Sequence, residues 1–348
     1  MGILRRLLAL TTAALALTAC SSSITSSPDA PIVSSPSVTA AGATAASSQG
    51  GPKTDVTLAT LKTAEVPAHC QLPAQRLVDG HARKVVGYGK GELVLDKGTF
   101  AFADVLGLGY RQGLVSYECS LGGPTRPAKL LLVGSGGTLL GWYDLATGHE
   151  RMHADVNSLS SAGAKTTLTW SAYDTEGGPA VRHTAAVTFA GGELRVQDTA
   201  TPYLDVAGTR ADFVSPDGTY ACSLAKQGVD CRATDAARKQ APTTKGLCKN
   251  GLDPDTLSLA GRASWTCRGN TIGWVEHGSP NVDWVSDYGE WKVIKGSGYP
   301  REIAVLPSGK TLVAGDLRCT MDAPAAVTCR NERTKASFKL GKAGVTLG

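Results

Sequence analysis

Apolar residues fall along this chain in three textures. Leu7 to Leu17 is an uncharged, mainly apolar stretch interrupted only by Thr11 and Thr12. Residues 21–54 then hold almost nothing but Ser, Thr, Ala, Pro, Gly and Val, with Asp29 and Lys53 as their only charges. From about Val56 the apolar positions come in short runs, alternating or continuous, separated by glycine-rich turns, a rhythm of strands rather than helices. "ELVLDKGTFAFADV" sets two runs about Asp96-Lys97-Gly98, and "KLLLVGSGGTLLGWYDL" turns at Gly134 to Gly137. "TTLTWSAY" alternates with period two, which places Leu168 and Trp170 on one face. "AAVTFAGGELRV" predicts a hairpin about Gly191-Gly192. Only "DVTLATLK" suggests a short helix. The pattern predicts an all-β protein of two small antiparallel β domains, the second stapled by disulfides. The divisions are a leader at 1–19, a linker at 20–55, a β-domain at 56–205 and a Cys-rich β-domain at 206–348.

Composition agrees with that rhythm, since 41 glycines and 17 prolines suit a turn-rich chain. The linker buries too little apolar surface to offset its ordering entropy and reads as a disordered tether with a mean span of about 30 Å.

The leader places the chain. Arg5 and Arg6 precede an apolar run too short to span a bilayer, which is the form of an export signal. Leu17-Thr18-Ala19-Cys20 resembles the lipobox of bacterial lipoproteins. That resemblance implies cleavage before Cys20, a diacylglyceryl group on its sulfur and usually a third chain, such as palmitate, on its nitrogen. Two or more chains anchor stably, at about 0.8 kcal/mol per buried methylene. The expected location is the outer face of the cell membrane, with the lipid as the membrane contact. Net charge is +5, or +3 once Arg5 and Arg6 leave, and no basic block stands out, so nucleic acid is not an expected partner.

Nine cysteines less Cys20 leave eight, an even number suited to four bridges in an oxidising compartment. "SPDGTYACSLAKQGVDCRA" is echoed by "LPSGKTLVAGDLRCTMDAPAAVTCRN", each with a Pro-x-Gly turn and a Val-x-Cys-Arg ending. The short spacings predict cross-strand bridges Cys222–Cys231 and Cys319–Cys329. Cys248 and Cys267 flank the hairpin-like "TLSLAGRASWTC", and elimination pairs Cys70 with Cys119. The chain-entropy model assigns about 2.5–3.5 kcal/mol to each of the first three and about 4 to the last.

Two stretches resemble known families. From about Asp212 to Leu340, "SPDGTYAC", "VDCRA", "CKNG", "SWTCRGNT", "VTCRN" and "SFKL" follow the cysteine order of a secreted actinobacterial domain of unknown function, to which this part is similar. Asn270 stands where that domain often has an acid, and Lys335-Ala336-Ser337 where it has glycines. The resemblance implies no catalytic residues. From about Leu93 to Val196, "AFADVLGLGYRQGLVSYECSLGG", "LLLVGSGGTLLGWYDL" and "HADVNSL" resemble an FG-GAP or VCBS-type β-domain. Members often carry a Ca²⁺ loop rich in carboxylates. Here Asp104 remains, while Leu108 and Gln112 stand where acids would be expected.

Three patterns bear on chemistry. His149-Glu150-Arg151-Met152-His153 is a literal H-E-x-x-H, which on a helix would set two zinc ligands on one face beside a general base. Gly148 precedes it, strand-like sequence surrounds it, and the nearest third ligand is Glu176, so an exposed inter-strand loop is the simpler reading. Ser223-Leu224-Ala225-Lys226, with Ser286-Asp287 and Lys310-Thr311, imitates the serine set of penicillin-binding proteins, but Ser223 follows Cys222 in an expected hairpin strand rather than opening a helix. Trp265, Trp274, Trp284, Tyr288 and Trp291 crowd into twenty-seven residues. Such rings either fill a small core or stack on sugars of cell-wall glycan. His69, His81, His183 and His277 show no ligand spacing, and the tail cations Arg330, Arg333, Lys335, Lys339 and Lys342 read as a solvated edge. The expectation is a non-catalytic binding or interaction module without cofactor or metal. Its partner would be cell-wall glycan or another envelope protein, and the alternative is a zinc-dependent hydrolase.

Overall fold

The computed structural model describes residues 53–82, 90–95, 98–120, 127–146, 151–163, 165–174, 178–206, 210–232, 238–241, 248, 254–267, 275–294, 301–322 and 326–348. Cys20, His149, Glu150, Glu176, Asn270 and Trp274 lie outside them. The described chain is nearly all β, in several mainly antiparallel sheets. The short helix expected near the start is Leu58–Lys62, closed at its front by a capping box between Thr57 and Thr60.

After the small ladder of β1 (Glu65–Val66) with β2 (Gln75–Arg76), five strands make the first large sheet. These are β3 (Lys90–Val94), β4 (Phe100–Ala103), β5 (Gln112–Ser120), β6 (Ala128–Val133) and β7 (Leu139–Asp144). Their order is β3-β5-β6-β7, and β3 and β4 share one edge of β5 end to end, with Val94 opposite Ser116 and Phe100 opposite Val115. The two runs about Asp96-Lys97-Gly98 therefore lie in line along β5 and do not pair with each other.

The "KLLLV" run explains why this sheet is covered on both faces. Every residue of β6 is buried. Leu114, Leu130 and Leu132 face one core, with Leu168, Trp170, Ala185 and Val187. Val115, Tyr117, Leu131 and Val133 face a second, with Val56, Leu61 and Leu77. A continuous apolar run can satisfy the hydrophobic effect only when both sides are shielded. Leu61 packs so closely on β5 that a Cβ at Gly113 would lie 2.6 Å from its methyl carbon.

β8 (His153–Ala162), β9 (Lys165–Tyr173), β10 (Ala180–Ala190), β11 (Glu193–Asp198) and β12 (Tyr203–Asp205) follow. Gly191 and Gly192, at φ 65° and 84°, make the tight turn from β10 to β11. β12 then runs parallel to a strand far along the chain, β20 (Thr311–Ala314), with Leu204 opposite Leu312. That pairing joins β8–β12 to β21 (Leu317–Asp322), β22 (Ala326–Asn331), β23 (Ser337–Gly341) and β24 (Gly344–Leu347) in one ten-stranded sheet. The expected boundary between residues 205 and 206 is thus crossed by a sheet, and the described residues fall in one compact unit.

The remaining strands form a seven-stranded sheet in the order β17-β16-β15-β14-β13-β19-β18. They are β13 (Ala211–Val214), β14 (Ala221–Ala225), β15 (Gly228–Arg232), β16 (Thr256–Leu259), β17 (Ala263–Thr266), β18 (Glu290–Ile294) and β19 (Arg301–Val305). Phe213, Leu224, Val229 and Leu257 of this sheet share a core with Leu312, Met321, Phe338 and Leu340 of the ten-stranded sheet. Cys222–Cys231 and Cys319–Cys329 lie inside that core as direct cross-strand partners, with Cα atoms 4.1 Å apart in each. Cys248–Cys267 and Cys70–Cys119 complete the four bridges that spacing and elimination predict.

The internal echo has a structural counterpart with one difference. β13 and β19 lie parallel, Val214 opposite Val305, and each leads into its Pro-x-Gly turn. The first turn returns the chain to the same sheet, whereas the second carries it to the ten-stranded sheet through β20. Cys319 consequently falls one strand later than Cys222.

Candidate functional site

The aromatic crowd separates in space. Trp284 (2% exposed) lies in the C-terminal core, its ring edge-on to Phe213 and its indole N–H donating to the Asp212 carbonyl at 3.2 Å. Tyr288 is buried as well; its hydroxyl donates to the Pro202 carbonyl at 2.7 Å, and burial raises its phenol above the ordinary range. Neither ring is free to stack on a sugar, which corrects their candidacy as ligand contacts. Trp265 on β17 and Trp291 on β18 are half-buried and sit on the two edge strands of the seven-stranded sheet, with five strands between them. No single platform joins the described rings. Trp291 keeps a partly open edge beside His277, with ring centres 4.7 Å apart.

The H-E-x-x-H string meets a strand. His153 opens β8, buried at 2% and stacked on Tyr173 at 5.0 Å, and Arg151 and Met152 before it are not helical. The helical face that sets two zinc ligands side by side is therefore absent at 151–153. Arg151 instead donates to Asp174 at 2.7 Å. Ser223 lies in strand β14, buried, in a cross-strand row with Asp212 and Asp230, as its place after Cys222 predicts.

The Asp104 loop is closed by the chain itself. One carboxylate oxygen accepts the Leu108 N–H and the other the Gly109 N–H, both at 2.8 Å. Those backbone bonds, Gly109 first, hold the Asp104 carboxyl below the usual range. The Gln112 side chain, fully buried, accepts from Leu106 N–H and donates to the Tyr110 carbonyl. These hydrogen bonds hold the Asp104 carboxylate and the Gln112 amide against the loop's own backbone. The tail cations are matched in the same local way. Arg333 pairs with Asp316, Lys335 and Arg330 with Glu332, Lys339 with Asp322 and Lys342 with Asp217. These exposed pairs are each worth about 0–1 kcal/mol, and among the described residues they leave no concentrated basic patch at the tail.

Two places went unmarked in the sequence. One is a cleft of about 400 Å³ between the β3–β5 edge and β8, lined by Glu92, Glu118, Asp155, Thr99 and neighbouring aliphatic residues. Glu92 and Glu118 are direct cross-strand partners, an arrangement of like charges that attracts a cation. His81 lies 3.7 Å from Glu92, and Asp155 accepts the Tyr173 hydroxyl at 2.8 Å. The other lies at the opposite face of β5, where His69 and the Cys70–Cys119 bridge meet. Burial, then the Lys129 cation, lowers the His69 imidazole below its ordinary value. Lys129 is itself 6% exposed and paired with Asp144 at 2.7 Å, with Trp142 beneath it. His69 and Cys119 are fifty residues apart in the chain, and only the turn at 69–72 brings them together.

No family model matches this chain, and no curated protein matches it.

Proposed function

We propose that the protein is an exported lipoprotein, held by acylated Cys20 at the outer face of the cell membrane, and that its folded part is a non-catalytic binding or interaction module. The observation that carries this reading is the cysteine usage. All eight cysteines beyond Cys20 are paired in four bridges, two of them inside a core, an arrangement that persists in an oxidising compartment. The lipobox-like Leu17-Thr18-Ala19-Cys20 supplies the anchor. The test is metabolic labelling with an alkyne fatty acid. The wild-type chain takes up label and sediments with membranes, and Cys20→Ser loses both. A wild-type product that stays unlabelled in the cytosol with free thiols overturns the reading.

Cell-wall glycan is the ligand class favoured by Trp291, whose ring stands at a sheet edge beside His277. Sedimentation with purified cell walls should fall at least about fivefold in Trp291→Ala, in keeping with the roughly 1 kcal/mol that one aromatic contact supplies. Unchanged sedimentation removes this edge from consideration and leaves a protein partner.

A further inference from the structure

The turn at residues 69–72 lays a histidine and a cysteine over a second cysteine on β5. One ring nitrogen of His69 and the sulfurs of Cys70 and Cys119 lie within 4.8 Å of one another, the one group of three such ligand atoms among the described residues. We propose that His69, Cys70 and Cys119 form a redox-gated metal site: the bridge closes it, and opening by a dithiol frees two sulfur ligands that, with the imidazole, bind Zn²⁺.

Four features carry this. Zn–S and Zn–N bonds of about 2.3 and 2.1 Å place tetrahedral ligand atoms roughly 3.5–3.8 Å apart, so the imidazole needs to move by only about 1 Å once the sulfurs part. The His69 Nε2 lies 3.1 Å from the Pro127 carbonyl. A backbone carbonyl that accepts an imidazole N–H fixes the tautomer and orientation of the ring, as around histidines that bind zinc. The turn does not need the bridge to hold its shape, because His69 and Leu72 exchange both backbone hydrogen bonds, at 3.0 and 2.8 Å. Those bonds keep Cys70 and Gln71 in left-handed backbone, at φ 47° and 63°. Finally, the Tyr117 hydroxyl is buried beneath this turn without a hydrogen-bond partner, against Gly91, the cross-strand neighbour of Cys119. A water completing the zinc shell would give it one.

Access separates this bridge from those in the core. Cys70 is half-buried, whereas Cys222, Cys231, Cys319 and Cys329 are at most 1% exposed. Cys267 is exposed too, but no histidine or carboxylate completes a group with it among the described residues. In the gating step a dithiol supplies two electrons and two protons and becomes a disulfide; the Cys70–Cys119 bond breaks to two thiols. Zn²⁺ then displaces both thiol protons to solvent, and two thiolates neutralise its charge.

The inference does not rest on the export reading, and its test uses the purified full chain, in which lipidation is not read. Native protein is treated with limiting phosphine reductant, freed of it under argon, and divided between alkylation mapping and titration with Co²⁺ followed by Zn²⁺. Cys70 and Cys119 should alkylate before the four core cysteines. The reduced protein should take up one equivalent of Co²⁺ with a thiolate charge-transfer band that Zn²⁺ abolishes, and the oxidised protein none. His69→Gln retains the bridge, and therefore the fold, yet should weaken uptake by more than the roughly 10–100-fold that losing an outer-shell partner costs. Opening of the core bridges first, no cobalt band after reduction, or equal affinity in His69→Gln would each overturn the proposal.

Discussion

The N-terminal and C-terminal halves solve the same burial problem in opposite ways. In the first, β5 and β6 are buried on both faces, and the fold shields them twice: β8–β11 on one side, the short helix and the β1–β2 ladder on the other. In the second, β21 alternates buried and half-buried residues and β15 follows a similar pattern, so these strands bury one face, and only a small cluster of Val214, Ile303 and Val305 covers the other side of β13. Sulfur enters the shared C-terminal core directly, since both cross-strand bridges lie in it. The N-terminal bridge instead ties a surface turn to the margin of its sheet. Where aliphatic side chains cover two faces, packing suffices. Where they cover one, a covalent link limits the unfolded chain.

The largest effects should come from the doubly covered strands. Leu130→Ala and Leu131→Ala empty opposite faces of β6, and each should cost about 2–5 kcal/mol in urea unfolding. Thr320, on the outer face of β21, should tolerate alanine within about 1 kcal/mol. Equal costs at Leu130, Leu131 and Thr320 would erase the distinction between the halves. Next comes the bridge itself: replacing Cys319 and Cys329 together by alanine should cost about 3 kcal/mol, seen as a lower urea midpoint.

A smaller effect concerns the close contact of β3 with β5. A Cβ at Gly91 would strike the Tyr117 hydroxyl, so Gly91→Ala should lose about 1–3 kcal/mol. Tyr117→Phe removes that unpartnered hydroxyl, whose burial raises its phenol to about 12. The phenylalanine variant should be neutral or more stable by up to about 1 kcal/mol, and should recover part of the Gly91→Ala loss. A Tyr117→Phe variant that loses stability would show that the hydroxyl has a partner.

The smallest effect is the turn that ties the two C-terminal sheets. Asp217 accepts from Ser215 and Thr219 and pairs with Lys342 at 3.3 Å. Partial burial opposes its ionisation, but these bonds outweigh it and bring the carboxyl to about 2. Because the folded value lies below the unfolded 3.8, its stabilisation is complete above about pH 4 and is lost as the pH falls to about 2. Screening at this exposed turn limits it to about 1 kcal/mol. The acid unfolding curve of Asp217→Asn should therefore be flatter over that interval, and an unchanged slope would remove the turn from the account.

Local pattern made much of the fold legible. Period-two alternation placed Leu168 and Trp170 on one face, paired glycines marked the β10–β11 hairpin, and short cysteine spacings gave the core bridges, because each depends on neighbours in sequence. Long-range pairing was not legible. The pairing of both β3 and β4 with β5 and the parallel junction of β12 with β20 are set by which apolar faces meet, and that has no local signature. The candidate site suffered most, as the tryptophan crowd reads in sequence as one unit, either a core or a sugar-stacking face, and its described rings divide between a core and the two edge strands of a sheet.

What the sequence determined by itself was class and chemistry of linkage: an all-β rhythm, turns where glycine permits them, and the cysteines able to bridge. Tertiary structure decided which of those residues face solvent, closed the Asp104 loop with backbone N–H groups, and set His69 against Cys70 and Cys119. The reason is physical. Strand propensity and turn geometry act over a few residues, whereas burial is a property of the faces that strands turn toward one another, and only the assembled sheets define them.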